Sequence, residues 1–281
     1  MHPLPRRRSC LSVPGASEKM MAKALTLDAD EIILDLEDAV PPADKIAARV
    51  RVAAAVASDA WRARTLSVRV NGLTTPWGRD DIAAVAKAGG NRLILVIPKV
   101  ETPADVVTAA DLAGDVIGLQ ALIETAKGVT NAPGIAAASP QLQTLIVGYA
   151  DLASSIGRPA GSTASWQTIQ DLVIIAARAQ GVQPIDGPFF ELNAPERFKD
   201  EAMRARDQGF EGKWAIHPAQ VAVINDVFTP TPDEIAGAQA LLDELERSGG
   251  GASKLSTGMI DEAMRAMAER TLSRAGLMAQ P

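Results

Sequence analysis

Cysteine and histidine are nearly absent from this chain of 281 residues. The single cysteine, Cys10, excludes an intramolecular disulfide and fits a reducing compartment. The only histidines are His2 and His217, so no Cys/His set for zinc can be assembled and any metal must be held by oxygen ligands. An excess of positive charge is also missing: 28 basic side chains stand against 34 acidic ones, which argues against a nucleic-acid partner. There is no uninterrupted apolar run of about 18 residues, the length a membrane-spanning helix needs. Arg6, Arg7 and Arg8 resemble the start of an export signal, but the apolar stretch that follows is too short before Glu18 and Lys19. These absences predict a soluble, cytoplasmic protein that contacts neither membrane nor nucleic acid.

What is present is material for a core. Apolar residues make up 47% of the chain, enough for one barrel-sized domain or two smaller ones. Short β-branched or leucine-rich runs at 10–13, 31–36, 65–70, 93–97, 116–123 and 142–148, with further strands near 183–185 and 213–216, alternate with alanine-rich segments of helical spacing. That alternation predicts βα units around a parallel sheet. Helices are expected over 42–58, opened by Pro42, and over 80–88, closed by Gly89 and Gly90. Runs such as 32–34 and 93–97 lack apolar/polar alternation, as strands covered on both faces do. A (β/α)8 barrel over residues 1–230 is the expected fold, with an open doubly wound sheet as the competing architecture. A helical extension over 231–281 follows, interrupted by a glycine-rich linker at 248–253. Its last helix, from about 259 to 275, carries Met259, Ile260, Ala263, Met264, Met267 and Leu272 near helical spacing, so it is expected to dock on its own barrel or a neighbour's.

In barrels and open parallel sheets, function gathers at the carboxyl ends of the strands. Here those ends are charged: Asp35, Glu37 and Asp38 after the second strand, Arg69 in the third, Lys99 and Glu101 after the fourth, Glu124 after the fifth and Asp151 near the sixth. Any one of these is ordinarily a solvated loop end; their coincidence at one rim is the signal. Glu124 directly follows an apolar run and Asp151 follows another by a short turn, so both carboxylates can face the mouth. Two carboxylates completed by waters and substrate oxygens suit Mg2+, while capping of helix N-termini is the structural alternative for both. Lys99 would serve a metal-free aldolase as a Schiff-base lysine if its pKa were depressed; pairing with Glu37 or Glu101 is the ordinary alternative. His217, before Pro218, is expected to fix its turn by hydrogen bonding.

Ordered boxes carry a resemblance along essentially the whole chain. Leu11-Ser12-Val13-Pro14-Gly15, Asp35-Leu36-Glu37-Asp38-Ala39-Val40, Arg69-Val70-Asn71-Gly72, Pro98-Lys99-Val100-Glu101, Ile123-Glu124-Thr125-Ala126, Ala150-Asp151-Leu152, Ile216-His217-Pro218 and Gly258-Met259-Ile260-Asp261 resemble the citrate lyase β-subunit-like CoA-ester lyases of the aldolase and citrate lyase superfamily. The resemblance implies Mg2+ on Glu124 and Asp151, substrate oxygens on Arg69, and an acidic box of Asp35, Glu37 and Asp38 beside the metal. It implies that Asp261 is the proton-transfer group, lent by a neighbouring subunit of a homo-oligomer, a trimer or hexamer. The implied activity is cleavage or formation of a short 3-hydroxyacyl-CoA such as malyl-CoA or citramalyl-CoA, with acyl-CoA and a 2-oxo acid as the other side of the reaction. Arg8 and Lys19 are then candidates to meet coenzyme A phosphates, with solvated surface roles equally open. One departure stands out: Ala150 occupies a position where many relatives have glutamate. Competing readings are a malate synthase-like enzyme or CoA thioesterase, a carrier-dependent citryl lyase subunit, and a CoA-free pyruvate aldolase.

Overall fold

A computed structural model describes residues 4–160, 162–249, 253–255 and 258–277. Eight parallel strands close into a barrel in sequence order: β1 (Ser9–Pro14), β2 (Glu31–Asp35), β3 (Thr65–Arg69), β4 (Leu93–Ile97), β5 (Gly118–Ile123), β6 (Leu142–Val147), β7 (Gln183–Asp186) and β8 (Gly212–Ala215). Closure comes from β8 pairing with β1, Cys10 opposite Trp214. The open doubly wound sheet is thereby excluded. Helices follow the strands: α1 (Glu18–Ala24), α2 (Lys45–Val56), α3 (Gly78–Gly89), α4 (Pro103–Ala113), α5 (Ala126–Ala136), α6 (Tyr149–Ser155), α7 (Gln167–Ala179), α8 (Pro195–Gln208) and α9 (Pro218–Phe228). The expected proline start at 42 is a 3-10 turn, Pro42–Asp44, that leads into α2. A capping box of Thr102 and Asp105 with Pro103 at the first turn opens α4.

Strands β2, β4, β5 and β6 are buried along their whole lengths, which is why their sequences run without alternation. The period of two nonetheless sorts each strand's residues between the barrel interior and the helix-facing side. Stepping up β2, the interior positions are Glu31, Ile33 and Asp35; stepping up β5 and just past it they are Gln120, Leu122 and Glu124. The interior therefore has three layers, as barrels of this kind do. The middle layer is apolar, with Cys10, Ile33, Val96, Leu122, Ile146, Ile185 and Trp214 in one cluster.

The lower layer is polar and closed. Arg7 Nε lies 2.9 Å from Glu31 Oε2, both side chains fully buried, and the same guanidinium donates to Gln183 Oε1 and Gln143 Oε1. Glu31 also accepts from Ser67 Oγ and Gln120 Nε2. A buried pair of this kind costs desolvation that only such complete hydrogen bonding offsets.

The chain divides into two compact units, Arg7–Asn225 and a second that holds Met1–Arg6 and Asp226–Pro281. In the second, α10 (Pro232–Arg247) starts with a capping box of Thr231 and Glu234. A two-stranded antiparallel hairpin follows, β9 (Ser253–Leu255) and β10 (Gly258–Ile260), then α11 (Arg265–Arg274). Part of the expected glycine linker, residues 250–252, lies outside the described residues. The last helix begins later than the sequence suggests. Asp261, with φ −148° and ψ 178°, is extended, and its carboxylate accepts from the Ala263 amide, so it caps a turn and cannot lie within a helix. Met259 and Met267 accordingly point to solvent, while Ile260, Ala268 and Leu272 pack with Leu241, Leu242 and Leu245 of α10. Among the described residues no helix is long and apolar enough to cross a membrane.

Candidate active site

The upper interior layer opens into a cavity of about 440 Å3 at the carboxyl ends of the strands. Asp35, Asp38, Arg69, Glu124 and Asp151 supply its charged lining; Leu122, Tyr149, Pro188, Phe190, Trp214 and Ile216 are among its uncharged lining.

Arg69 is the hub of the charged side. It sits at the end of β3 beside Asp35 at the end of β2, because the two are register partners. Its Nε and Nη2 donate to Asp35 Oδ1 at 2.7 Å and Oδ2 at 2.5 Å, a bidentate fork. Asp35 is itself fixed by the amides of Glu37 and Ala39, at 2.8 and 3.2 Å. The third nitrogen, Nη1, lies 3.0 Å from Glu37 and 3.6 Å from Asp38. Burial opposes the charge of Arg69, but Asp35, Glu37 and Asp38 together hold it protonated more firmly than usual. The guanidinium also stands 5.6 Å from the ring centre of Trp214. The acidic box thus holds the arginine directly, Asp35 most firmly.

Lys99 organises the remaining carboxylates. It follows β4 and is the one non-glycine residue among those described with positive φ, 52°. That conformation lets one residue act twice: its amide donates to Glu124 Oε1 at 2.8 Å, and its ammonium reaches Glu37 Oε1 at 2.7 Å and Asp151 Oδ2 at 3.5 Å. Strain of this sort persists where surrounding contacts dictate it. Burial works against the ammonium, yet the hydrogen bond and charge of Glu37 raise its pKa above the usual value. A Schiff-base lysine needs the opposite shift, so the metal-free aldolase loses its premise. The expected pairing with Glu37 is present, while Glu101 pairs with Lys127 instead.

Glu124 is 2% exposed, and burial, followed by the charge of Glu37, raises its pKa to about 7. Its Oε2 lies against Gly148, the residue before α6: a Cβ there would be 2.4 Å from that oxygen. Asp151, in the first turn of α6, has a side chain 37% exposed. The two carboxylates therefore line one cavity, one buried and one open, and the charge of Asp151 is felt at Glu124. The donor set fits a hard divalent ion: both ligands are oxygen, a cation would offset the cost of ionising Glu124, and the open side leaves room for water. Among the described residues no group of three or more acidic, histidine or cysteine side chains is placed to hold a metal ion by itself.

Other expected residues lie elsewhere. Arg8 precedes β1, at the amino end of the barrel, and its Nε pairs with Asp30 at 2.8 Å. That is the opposite mouth from the cavity, so its proposed contact with coenzyme A phosphates is withdrawn. Lys19 is exposed on α1 and does not line the cavity. His217 Nδ1 accepts from the Ala219 amide, fixing its turn as expected. Asp261 is exposed in the second unit. The apolar side of the cavity escaped the sequence reading. Tyr149, the single tyrosine, stands two residues after β6 where Glu124 immediately follows β5, but it carries no charge to mark it.

Known proteins are similar to this chain along most of its length. A (3S)-malyl-CoA thioesterase of Cereibacter sphaeroides is 39% identical over 276 residues, covering 97% of this chain and 95% of its own length. An L-malyl-CoA/beta-methylmalyl-CoA lyase of the same organism is 37% identical over 298 residues, covering 95% and 92%. The crystal structure of CitE from Mycobacterium tuberculosis, in complex with magnesium, acetoacetate and coenzyme A, is 30% identical, with a TM-score of 0.80 over 98% of this chain and 99% of that one. Residues 8–218, which hold every barrel strand and the cavity's carboxylates, match the description HpcH/HpaI aldolase/citrate lyase, and this chain belongs to that family.

Proposed function

We propose that the protein is a Mg2+-dependent carbon–carbon lyase that splits a short 3-hydroxyacyl-CoA, of the malyl-CoA or citramalyl-CoA kind, into an acyl-CoA and a 2-oxo acid. The observation that carries this reading is Glu124, a buried carboxylate held by the Lys99 amide and lining one cavity together with Asp151 and a locked Arg69. Relatives named for malyl-CoA chemistry and a CitE structure with magnesium and coenzyme A support it.

The reaction breaks the bond between C2 and C3: the 3-hydroxyl gives up its proton, C3 becomes a carbonyl, and the electron pair passes to the thioester enolate. Glu124 and Asp151 would hold Mg2+, which polarises the oxo-acid oxygens when bound. Arg69 supplies a fixed positive charge for developing negative charge on oxygen. Its weakest contact is the 3.6 Å approach to Asp38, whose side chain is 61% exposed, so a substrate carboxylate displaces Asp38 most readily. Glu37, buried and raised in pKa mainly by that burial, orients this group from behind together with Lys99. Asp261, exposed and preceded by the β10 strand, is the proton carrier for the enolate carbon, contributed by a neighbouring copy in a homo-oligomer, a trimer or hexamer. A cytoplasmic location fits the buried free thiol of Cys10.

The test is incubation of the pure protein with malyl-CoA, beta-methylmalyl-CoA and citramalyl-CoA, with Mg2+ or with a chelator. Trapping of a 2-oxo acid, dependent on Mg2+, is expected. Free thiol with intact hydroxy acid would instead mark thioester hydrolysis, and no product from any ester would refute the reading.

A further inference from the structure

The uncharged lining of the cavity is built with as much constraint as the charged lining. Tyr149 is its centre, placed between Gly148, which Glu124 Oε2 abuts, and Asp151 two residues on. Its hydroxyl donates to Asp186 Oδ1 and accepts from Gln170 Nε2 at 2.6 Å, so both hydrogen-bonding directions are used away from the cavity. Asp186 is a buried carboxylate paired with the equally buried Lys213, whose ammonium also donates to Gly187 O at 2.9 Å. Behind the ring, Trp166 lies 5.1 Å away between centroids, and Arg158 covers Trp166 at 3.8 Å. Beside it, the chain passes so close at Gly187 that a Cβ there would stand 2.7 Å from Tyr149 Cδ2. Tethered by its hydroxyl and crowded at Gly187 and Trp166, the ring has little room to swing aside for a ligand, and it lines the cavity together with Phe190 and Trp214.

We propose that Tyr149 is a specificity-determining residue that sets the length of the alkyl group on the 2-oxo acid, and that the enzyme takes short-chain 2-oxo acids of the pyruvate type with that group against the ring. The inference rests on the proposed function: the 2-oxo acid is the fragment bound at Glu124 and Asp151, and Tyr149 is the aromatic neighbour of both. A fixed wall discriminates by length because each additional methylene must displace it, and a pocket of this kind separates homologues by about 10–200-fold per methylene. The hydroxyl tether matters as much as the ring, since a loosened ring yields.

The experiment runs the reaction towards condensation, with acetyl-CoA or propionyl-CoA and the series glyoxylate, pyruvate, 2-oxobutyrate and 2-oxovalerate, and measures kcat/KM for each. Calorimetry gives the Kd of each 2-oxo acid for the Mg2+-loaded protein. Wild type should fall steeply beyond the short members. Tyr149→Ala should raise 2-oxovalerate relative to pyruvate by about tenfold or more in both kcat/KM and affinity. Tyr149→Phe keeps the ring but frees it from Asp186 and Gln170, and should shift the same ratio in the same direction by less; it carries the test if the alanine variant does not fold. An active wild type whose length profile is unchanged in both variants overturns this inference and leaves the lyase reading standing. A wild type that condenses no 2-oxo acid overturns the lyase reading, and the inference with it.

Discussion

Gly148→Ala is the sharpest perturbation of the cation corner that leaves every charged group in place. The added methyl would stand 2.4 Å from Glu124 Oε2 and 2.6 Å from Glu124 Cβ. Non-bonded carbon contacts settle near 3.5–4 Å, so the carboxylate must retreat by roughly 1 Å. Rotation of the side chain cannot clear the clash, because it reaches Cβ as well. The backbone at Gly148, φ −105° and ψ 87°, imposes no positive φ, so the effect is steric and not conformational. Overpacking of this size costs about 1–3 kcal/mol, which a domain stable by about 5–15 kcal/mol survives. Misplacing a catalytic ligand by about 1 Å costs on the order of 100-fold in rate. The expected result is a folded protein with weakened Mg2+ binding by calorimetry and kcat/KM reduced about 100-fold. Gly237→Ala, where a Cβ meets nothing within 4 Å, serves as the control. Wild-type Mg2+ affinity and turnover in Gly148→Ala would refute the placement of Glu124 as a ligand.

Protons compete with the cation at Glu124. Because burial raises this carboxylate's pKa to about 7, it is protonated below that pH and ionised above it; Mg2+ affinity should be flat above and fall by up to about tenfold per pH unit below. Calorimetry in buffers of different ionisation enthalpy should detect proton release on Mg2+ binding at pH 6 and little at pH 8.5, and equal release at both would contradict the assignment. Asp261→Asn should retain its fold by circular dichroism and lose most turnover. Mixing it with Arg69→Ala should restore part of the activity if copies share a site; no rescue means a self-contained one. At the other mouth, Arg7→Met leaves Glu31 buried without its cation and should cost about 3–5 kcal/mol in urea unfolding, most of it recovered by adding Glu31→Gln.

Much of this architecture was legible because burial on both faces leaves a plain trace. The run 93–97 is apolar throughout and is β4 residue for residue. The charged rim was legible for a related reason: Asp35, Arg69 and Glu124 interrupt or end apolar runs at the point where a parallel strand meets its loop. Strand polarity also contained the correction for Arg8, since a residue before a strand belongs to the amino end of the barrel. Tyr149 was hidden because its role depends on Asp186, Gln170 and Lys213, partners 21 to 64 positions away that no local pattern connects. The hairpin at β10 was hidden because three residues are too few to show a period, and Met259 and Ile260 read equally well as the start of a helix.

Two buried glutamates explain why one end of the barrel is inert and the other reactive. Glu31 starts β2 and Glu124 follows the end of β5, so the two lie at opposite ends of the barrel interior with the apolar layer between them. Glu31 is met by Arg7, Ser67 and Gln120, so its oxygens have partners within the fold itself. Glu124, among the described residues, is met by one hydrogen-bond donor, the Lys99 amide, and its carboxylate resists ionisation until about pH 7. Around it Asp35, Glu37, Asp38 and Asp151 share the ion pairs of two cations, Arg69 and Lys99, so the carboxylates outnumber the cations that pair with them. Like charges crowded at a mouth are costly: at an effective dielectric of about 20, a separation of about 4 Å corresponds to about 4 kcal/mol of repulsion. A bound cation would complete such a mouth, and the carboxylates of Glu124 and Asp151, which line the same cavity, are where the proposed Mg2+ would enter.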